Sequence, residues 1–173
     1  MDNYLARGKS ITLRTIQPAD LAQIAPHEYS VSIDEPLTDL SRLEEVHSQT
    51  GLWERDAGAV AIIDTSQDRL VGTCQFFRSG PCIHGLEIGY IVHDVADRGR
   101  GYASEALSLL STYLFETRLD IHRLQLTIDV SNEASFRVAE KGDYLREGVL
   151  RRGGFPPDHP DCFVYSRTRD GDL

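Results

Sequence analysis

Apolar and polar residues alternate along several short stretches of this chain and fall into helical spacing along others, and the two patterns take turns. Residues 10–16 (SITLRTI) alternate, the mark of a half-buried strand. Pro18, just ahead of Asp20 and Leu21, predicts a helix start and a short helix toward Ala25. Residues 26–36 form a proline-bounded loop that carries His27, Glu28 and Tyr29. Asp39 can cap a second helix running to about Arg55, with Leu40, Leu43, Val46 and Trp53 near helical spacing. An apolar strand at 59–63, a polar turn at 65–69 and a strand at 70–77 predict a hairpin. Gly80 and Pro81 then punctuate the way to a strand at 86–93.

The polar loop 94–97 runs through Arg98-Gly99-Arg100-Gly101-Tyr102-Ala103 into a helix. Ala103, Leu107, Leu110 and Leu114 give that helix an i, i+4, i+7, i+11 stripe. Residues 123–130 alternate again, Leu124, Leu126, Ile128 and Val130 against Gln125, Thr127 and Asp129. Ser131 or Asn132 caps a helix that ends near Gly142. Strands at 144–150 and 162–167 close the chain, with Gly153-Gly154 and Pro156-Pro157 in the loop between them. The predicted order is β-α-α-β-β-β-α-β-α-β-β, a mixed α/β fold in a single domain over 1–173. The strand–helix–strand unit around Gly101 should lay 86–93 and 123–130 parallel, with the rest of the sheet mostly antiparallel.

Composition narrows the function classes more than the fold. A formal charge of −9 disfavours nucleic acid as the main partner and suits a cationic amine. No apolar run approaches the roughly 20 residues that span a bilayer, and Asp2, Arg7 and Lys9 stand where a leader would be apolar, so a cytoplasmic location is expected. Cys74, Cys82 and Cys162 lack metal-ligand spacing and are odd in number, which predicts no metal site, no disulfide framework and small core residues. The six histidines show no ligand spacing either.

The candidate chemistry gathers at the strand-to-helix passage. Gly99 and Gly101 remove side chains where the backbone must approach something closely, and a helix start offers free N–H groups and the positive end of its dipole to an anion. Backbone from Gly99 through Tyr102 and Ala103, with Ser104, can donate to phosphate oxygens, and Arg98 and Arg100 add charge. This predicts a pyrophosphate cradle. A dinucleotide fingerprint is the alternative, but Gly99-x-Gly101-x-x-Ser104 lacks its third glycine and follows a late strand. Gly89 in the central strand suggests a bulge or close approach that would splay the parallel strands.

Arg98-x-x-Gly101-x-Ala103 resembles the acyl-CoA signature of the GCN5-related N-acetyltransferases (GNAT), and GRGYASEAL after EIGY is similar to their RimJ/RimL-type branch. The run from Asn132 through Ser135 and Arg137 to Lys141, followed by REG at 146–148, resembles the same branch's later helix. One departure is Asp143 where that branch places a glycine, after Gly142. The resemblance implies a three-layer fold with a sheet splayed between 86–93 and 123–130, acetyl-CoA as co-substrate, and transfer to a primary amine of a peptide N-terminus or a small molecule. It implies that backbone at Ile91 and Val92 pairs with the pantetheine arm and that Asn132, Ser135 and Lys141 line its other side. Residues 26–36 become a flap over the acceptor, and monomer and homodimer both stay open. Glu87, on the face of Gly89 and Ile91, is the candidate base, and Ser135 the candidate partner of the departing thiolate. Each has a plainer reading: Glu87 as a structural carboxylate, Ser135 as a first-turn serine, Asn132 as an N-cap. A longer acyl donor and a non-catalytic acyl-CoA sensor are the other functional readings.

Overall fold

The computed structural model describes residues 4–27, 39–78, 85–154 and 159–169. One eight-stranded mixed sheet runs through it in the order β1-β2-β3-β4-β5-β6-β8-β7. The strands are β1 (Tyr4–Arg7), β2 (Ile11–Thr15), β3 (Ala57–Asp64), β4 (Arg69–Phe77), β5 (Gly85–Val92), β6 (Arg123–Asp129), β7 (Leu145–Leu150) and β8 (Cys162–Thr168). The helices are α1 (Leu21–Ile24), α2 (Leu40–Thr50), α3 (Tyr102–Thr117) and α4 (Glu133–Lys141). This is the expected mixed α/β order with a first strand added.

The apolar alternation decides which helix covers which face. Leu86 and Ile88 of β5 and Leu124, Leu126 and Ile128 of β6 face α3, where Leu107, Leu110 and Leu114 are buried. Each such leucine contributes about 1.5–3 kcal/mol through burial. Ala59, Ala61 and Ile63 of β3 face the other way, onto Leu21 and Ile24 of α1 and Leu43 of α2. Buried Cys74 belongs to the first core, where burial pushes its thiol up to about 12. The sheet is therefore the middle layer of three.

Several expectations need correction. Strand β1 was not expected: it has four residues, and its pairing with β2 shifts register between Tyr4 and Ala6. The second helix stops at Thr50, where Gly51 takes φ 65, rather than at Arg55. Gly89 is not a bulge: β4 and β5 pair without a shift from Gly72↔Val92 to Phe77↔Glu87. The splay exists for another reason. Strands β5 and β6 pair only at Gly85↔Arg123, Leu86↔Leu124 and Glu87↔Gln125 and then part, although both continue. Most of the expected flap, together with Gly80, Pro81, Cys82, His84 and Pro156-Pro157, lies outside the described residues.

Asp143 also finds an explanation. It, and not Gly142, takes the left-handed backbone, at φ 61. A Cβ on Gly142 would lie 3.0 Å from Leu107 Cδ2, so the glycine lets the end of α4 rest closely on α3.

Candidate active site

A cleft of about 530 Å³ opens where β5 and β6 part. Tyr90, Ile91 and Val92 form one wall, Asn132, Ser135, Val138 and Lys141 of the α4 region form the other, and the loop from Asp97 into Ser104 closes its outer end. Every residue expected at the site lines this cleft except two, Glu87 and Arg100.

The loop end shows why the sequence folds this way. Gly99 and Gly101 have φ of 75 and 88, conformations that side chains with a Cβ resist, and a Cβ on either would meet nothing within 4 Å. The bare backbone thus borders open space. The first bond within α3 runs from Glu105 N to Gly101 O, 3.0 Å, so the N–H groups of Tyr102, Ala103 and Ser104 have no helical partner. Nor does a side chain cap them. Both other long helices are capped: Asp39 accepts from Ser41 and Arg42 N in α2, and Asn132 Oδ1 accepts from Ser135 N at 3.1 Å in α4. An uncapped helix start beside a cleft is suited to an anion.

Arg100 does not supply the expected charge to the cleft. Its Nη1 lies 3.3 Å from Asp97 Oδ1, and its guanidinium sits 5.3 Å from the Tyr102 ring centroid. Arg98 and Lys141 line the cleft instead, and neither makes an ion pair among the described residues. Arg137, which sequence reasoning left out of the site, joins them, loosely paired with Glu133 at 3.7 Å.

Sequence reasoning also missed what holds the loop. Asp97 is 4% exposed and takes two hydrogen bonds from Arg69, 2.8 and 2.9 Å, which hold its carboxyl below the usual range. Five residues further on, the Tyr102 hydroxyl donates to Asp64 Oδ2 at 2.5 Å. That bond and those from Ser66 keep the buried Asp64 carboxyl well below its ordinary value. Asp64 ends β3 and Arg69 begins β4, so one hairpin turn grips both ends of the loop. Nothing local marks these partners in the sequence; an acidic residue before a turn and a basic one after it are ordinary hairpin chemistry.

Glu87 lies deeper. It is 6% exposed, at the last residue pair before β5 and β6 diverge, and Gln125 Nε2 approaches its Oε2 at 3.5 Å. Gln125 Oε1 accepts from Arg123, and Arg123 makes two bonds to Glu147, 2.7 and 2.6 Å, drawing that carboxyl down to about 2. Glu87 thus sits at the vertex of the splay, on the face away from α3, whereas Ser135 lines the cleft. Tyr90, on the cleft wall, donates its hydroxyl to Ser135 O at 3.2 Å, and burial pushes its phenol up to about 12.

The sequence profile of the acetyltransferase (GNAT) domain matches residues 10–144, most of the chain. The chain belongs to the GNAT acetyltransferase family. Among similar proteins is a probable N-acetyltransferase, YjcK, of Bacillus subtilis, 35% identical over 92 residues, 53% of this chain and 50% of the relative. Another is the ribosomal-protein-serine acetyltransferase of Escherichia coli, 30% identical over 105 residues, 60% of this chain and 58% of the relative. The matched stretch thus spans about half the length of these curated relatives. Among solved structures, the dodecameric spermidine N-acetyltransferase of Vibrio cholerae shares the fold, with a TM-score of 0.75 at 21% identity over 94% of this chain and 96% of that one. GNAT enzymes use acetyl-CoA and act on amines.

Proposed function

We propose that this protein transfers the acetyl group of acetyl-CoA directly to a primary amine. The observation that supports this most is the conjunction at one cleft of an uncapped, glycine-led helix start with a strand edge left unpaired beyond Glu87. A pyrophosphate suits the first and a peptide-like pantetheine arm the second, by strand addition along Ile91 and Val92. Arg98, Arg137 and Lys141 add local positive charge to an acidic molecule, so binding should weaken with salt.

The amine must lose a proton before attack. With pKa near 10.4 for a lysine-like amine and near 8 for an α-amine, supplying the neutral form at pH 7 costs roughly 4.6 and roughly 1.4 kcal/mol. The smaller cost needs only a modest base, which favours an α-amine as acceptor. Glu87, at the vertex of the splay, takes that proton in this reading, directly or through one water. Ser135 faces the departing thiolate from the cleft. Placing amine and thioester side by side supplies much of the acceleration without a covalent intermediate. A RimJ/RimL-type acceptor, a protein N-terminus, draws support from the similarity to the Escherichia coli ribosomal-protein enzyme.

The test follows free CoA thiol from acetyl-CoA with a serine-headed peptide bearing a free N-terminus and with spermidine. Thiol release with the peptide ahead of spermidine is expected, and Glu87→Gln should lower kcat by about 10²-fold or more. Bound acetyl-CoA with no thiol release above background would overturn the transferase reading, and an unchanged rate in Glu87→Gln would remove Glu87 from it.

A further inference from the structure

Among the described residues, three polar side-chain atoms on the sheet face away from α3 are buried without a hydrogen-bond partner: Thr73 Oγ1, Gln75 Oε1 and His93 Nε2. Their strand positions form one row. Gln75 stands opposite Gly89 and Thr73 opposite Ile91 in the β4–β5 register. His93 follows Ile91 by two residues and donates its backbone N–H to Val71 O at 3.0 Å. Thr73 and Gln75 stand two residues apart on β4, and His93 lies diagonally across from Thr73 at the end of β5, so the three side chains share one face as diagonal and same-strand neighbours roughly 7–8 Å apart.

Gly89 has a role in this line. A Cβ there would come within 2.7 Å of Gln75 Nε2, so the missing side chain leaves room for the Gln75 amide. That amide therefore lies across β5 two residues past Glu87, where β5 and β6 have just separated. The far end of the line is covered by His27, whose ring stacks on His93 at 4.1 Å and 9°. Burial, reinforced by His27, pushes His93 down to about 4, so the imidazole is neutral at pH 7 and retains one lone pair.

A buried polar atom left unpaired destabilises the fold, and Thr73 is fully buried. Thr73 Oγ1 and Gln75 Oε1 accept hydrogen bonds, as does His93 Nε2 in the tautomer protonated on Nδ1, and the set is then complementary to a group rich in N–H donors. The opposite face cannot admit one at this level, because Leu86, Ile88, Leu124 and Leu126 are packed there under α3. We infer that Gln75, Thr73 and His93 form a hydrogen-bonding rail that receives the acceptor amine and turns its nitrogen toward the vertex of the splay. This rests on the transferase reading above. Gln75 and Thr73 would then set amine affinity without touching the acetyl-CoA cleft, whose lining includes neither.

Thr73→Val and Gln75→Met keep shape and remove the acceptor atoms. Steady-state kinetics with the free-N-terminus peptide and with spermidine should show the amine KM rising about tenfold in each and about a hundredfold in the double variant. The acetyl-CoA KM should stay within twofold. Thr73→Ser, which keeps the hydroxyl, should restore the amine KM to within twofold of wild type. Melting temperatures should hold or rise, since an unpaired buried group is gone. Wild-type turnover with amine KM values unchanged in both variants would overturn the rail alone. Acetyl-CoA binding with no transfer to either amine by wild type would overturn the transferase reading and the rail with it.

Discussion

Around the loop from Asp94 to Ser104, the buried carboxylates are all partnered: Asp97 by Arg69 and Arg100, and Asp64 by Tyr102 and Ser66. Across the sheet, on the face of Glu87, three polar atoms are buried with no hydrogen-bond partner among the described residues. The contrast matches what each region would bind. A pyrophosphate is the same in every catalytic cycle, so a cradle for one can be built rigid, with backbone N–H groups, Arg98 and Lys141 left open. An amine must enter, react and leave, and a site for it keeps acceptors in reserve at a cost in stability.

The comparison breaks most readily at the cradle. Gly101→Val puts a β-branched residue at φ 88 and a side chain into the open space of the loop. Acetyl-CoA affinity by calorimetry should fall at least about a hundredfold, with about 1–2 kcal/mol lost in stability. Retained affinity would show that the cradle does not hold the phosphates.

Asp97→Asn makes a sharper test, because two effects oppose each other. Removing a negative charge beside a phosphate site should by itself tighten anion binding. Releasing Arg69 should loosen the loop and weaken it. Positioning is the larger effect here, so the acetyl-CoA KM should rise about tenfold with kcat little changed. A lower KM would mean that charge, not anchoring, is what Asp97 contributes.

The smallest effect concerns the far end of the rail. His93 has a folded-state pKa of about 4, below the ordinary histidine value near 6.5. The unfolded chain therefore binds the proton first, and the stability that neutral His93 carries is complete above about pH 6.5 and lost as pH falls toward 4. The melting temperature of wild type should drop by a few degrees across that window, and His93→Phe should flatten the drop. Parallel curves would place the histidine outside the pH response.

The bend from β5 into α3 was legible in the sequence because glycines at positive φ and an uncapped helix start are local, and local features survive in one dimension. Strand and helix order was legible for the same reason, down to the alternation at Leu124, Leu126 and Ile128. Strand β1 was not, since four edge residues carry too little periodicity to stand out. Gly89 pointed to the right place through the wrong device. It accommodates Gln75 from the neighbouring strand, and that contact depends on a register that the sequence does not display. Arg69 and Asp97 are 28 residues apart, and only the hairpin brings them together. Arg100 looked like a second phosphate ligand because its competing partner is three residues away on a tight turn.

Gly142 carries a consequence well beyond its own turn. With only three residue pairs joining β5 to β6, the stand-off of α4 from α3, together with the packing of Phe136 on Phe163, helps set the gape of the opening. That stand-off is gauged by one missing methyl group against Leu107. A tenth of a nanometre added there should be felt at the opposite wall, so the caliper of this fold lies on the helices while its jaws lie on the strands.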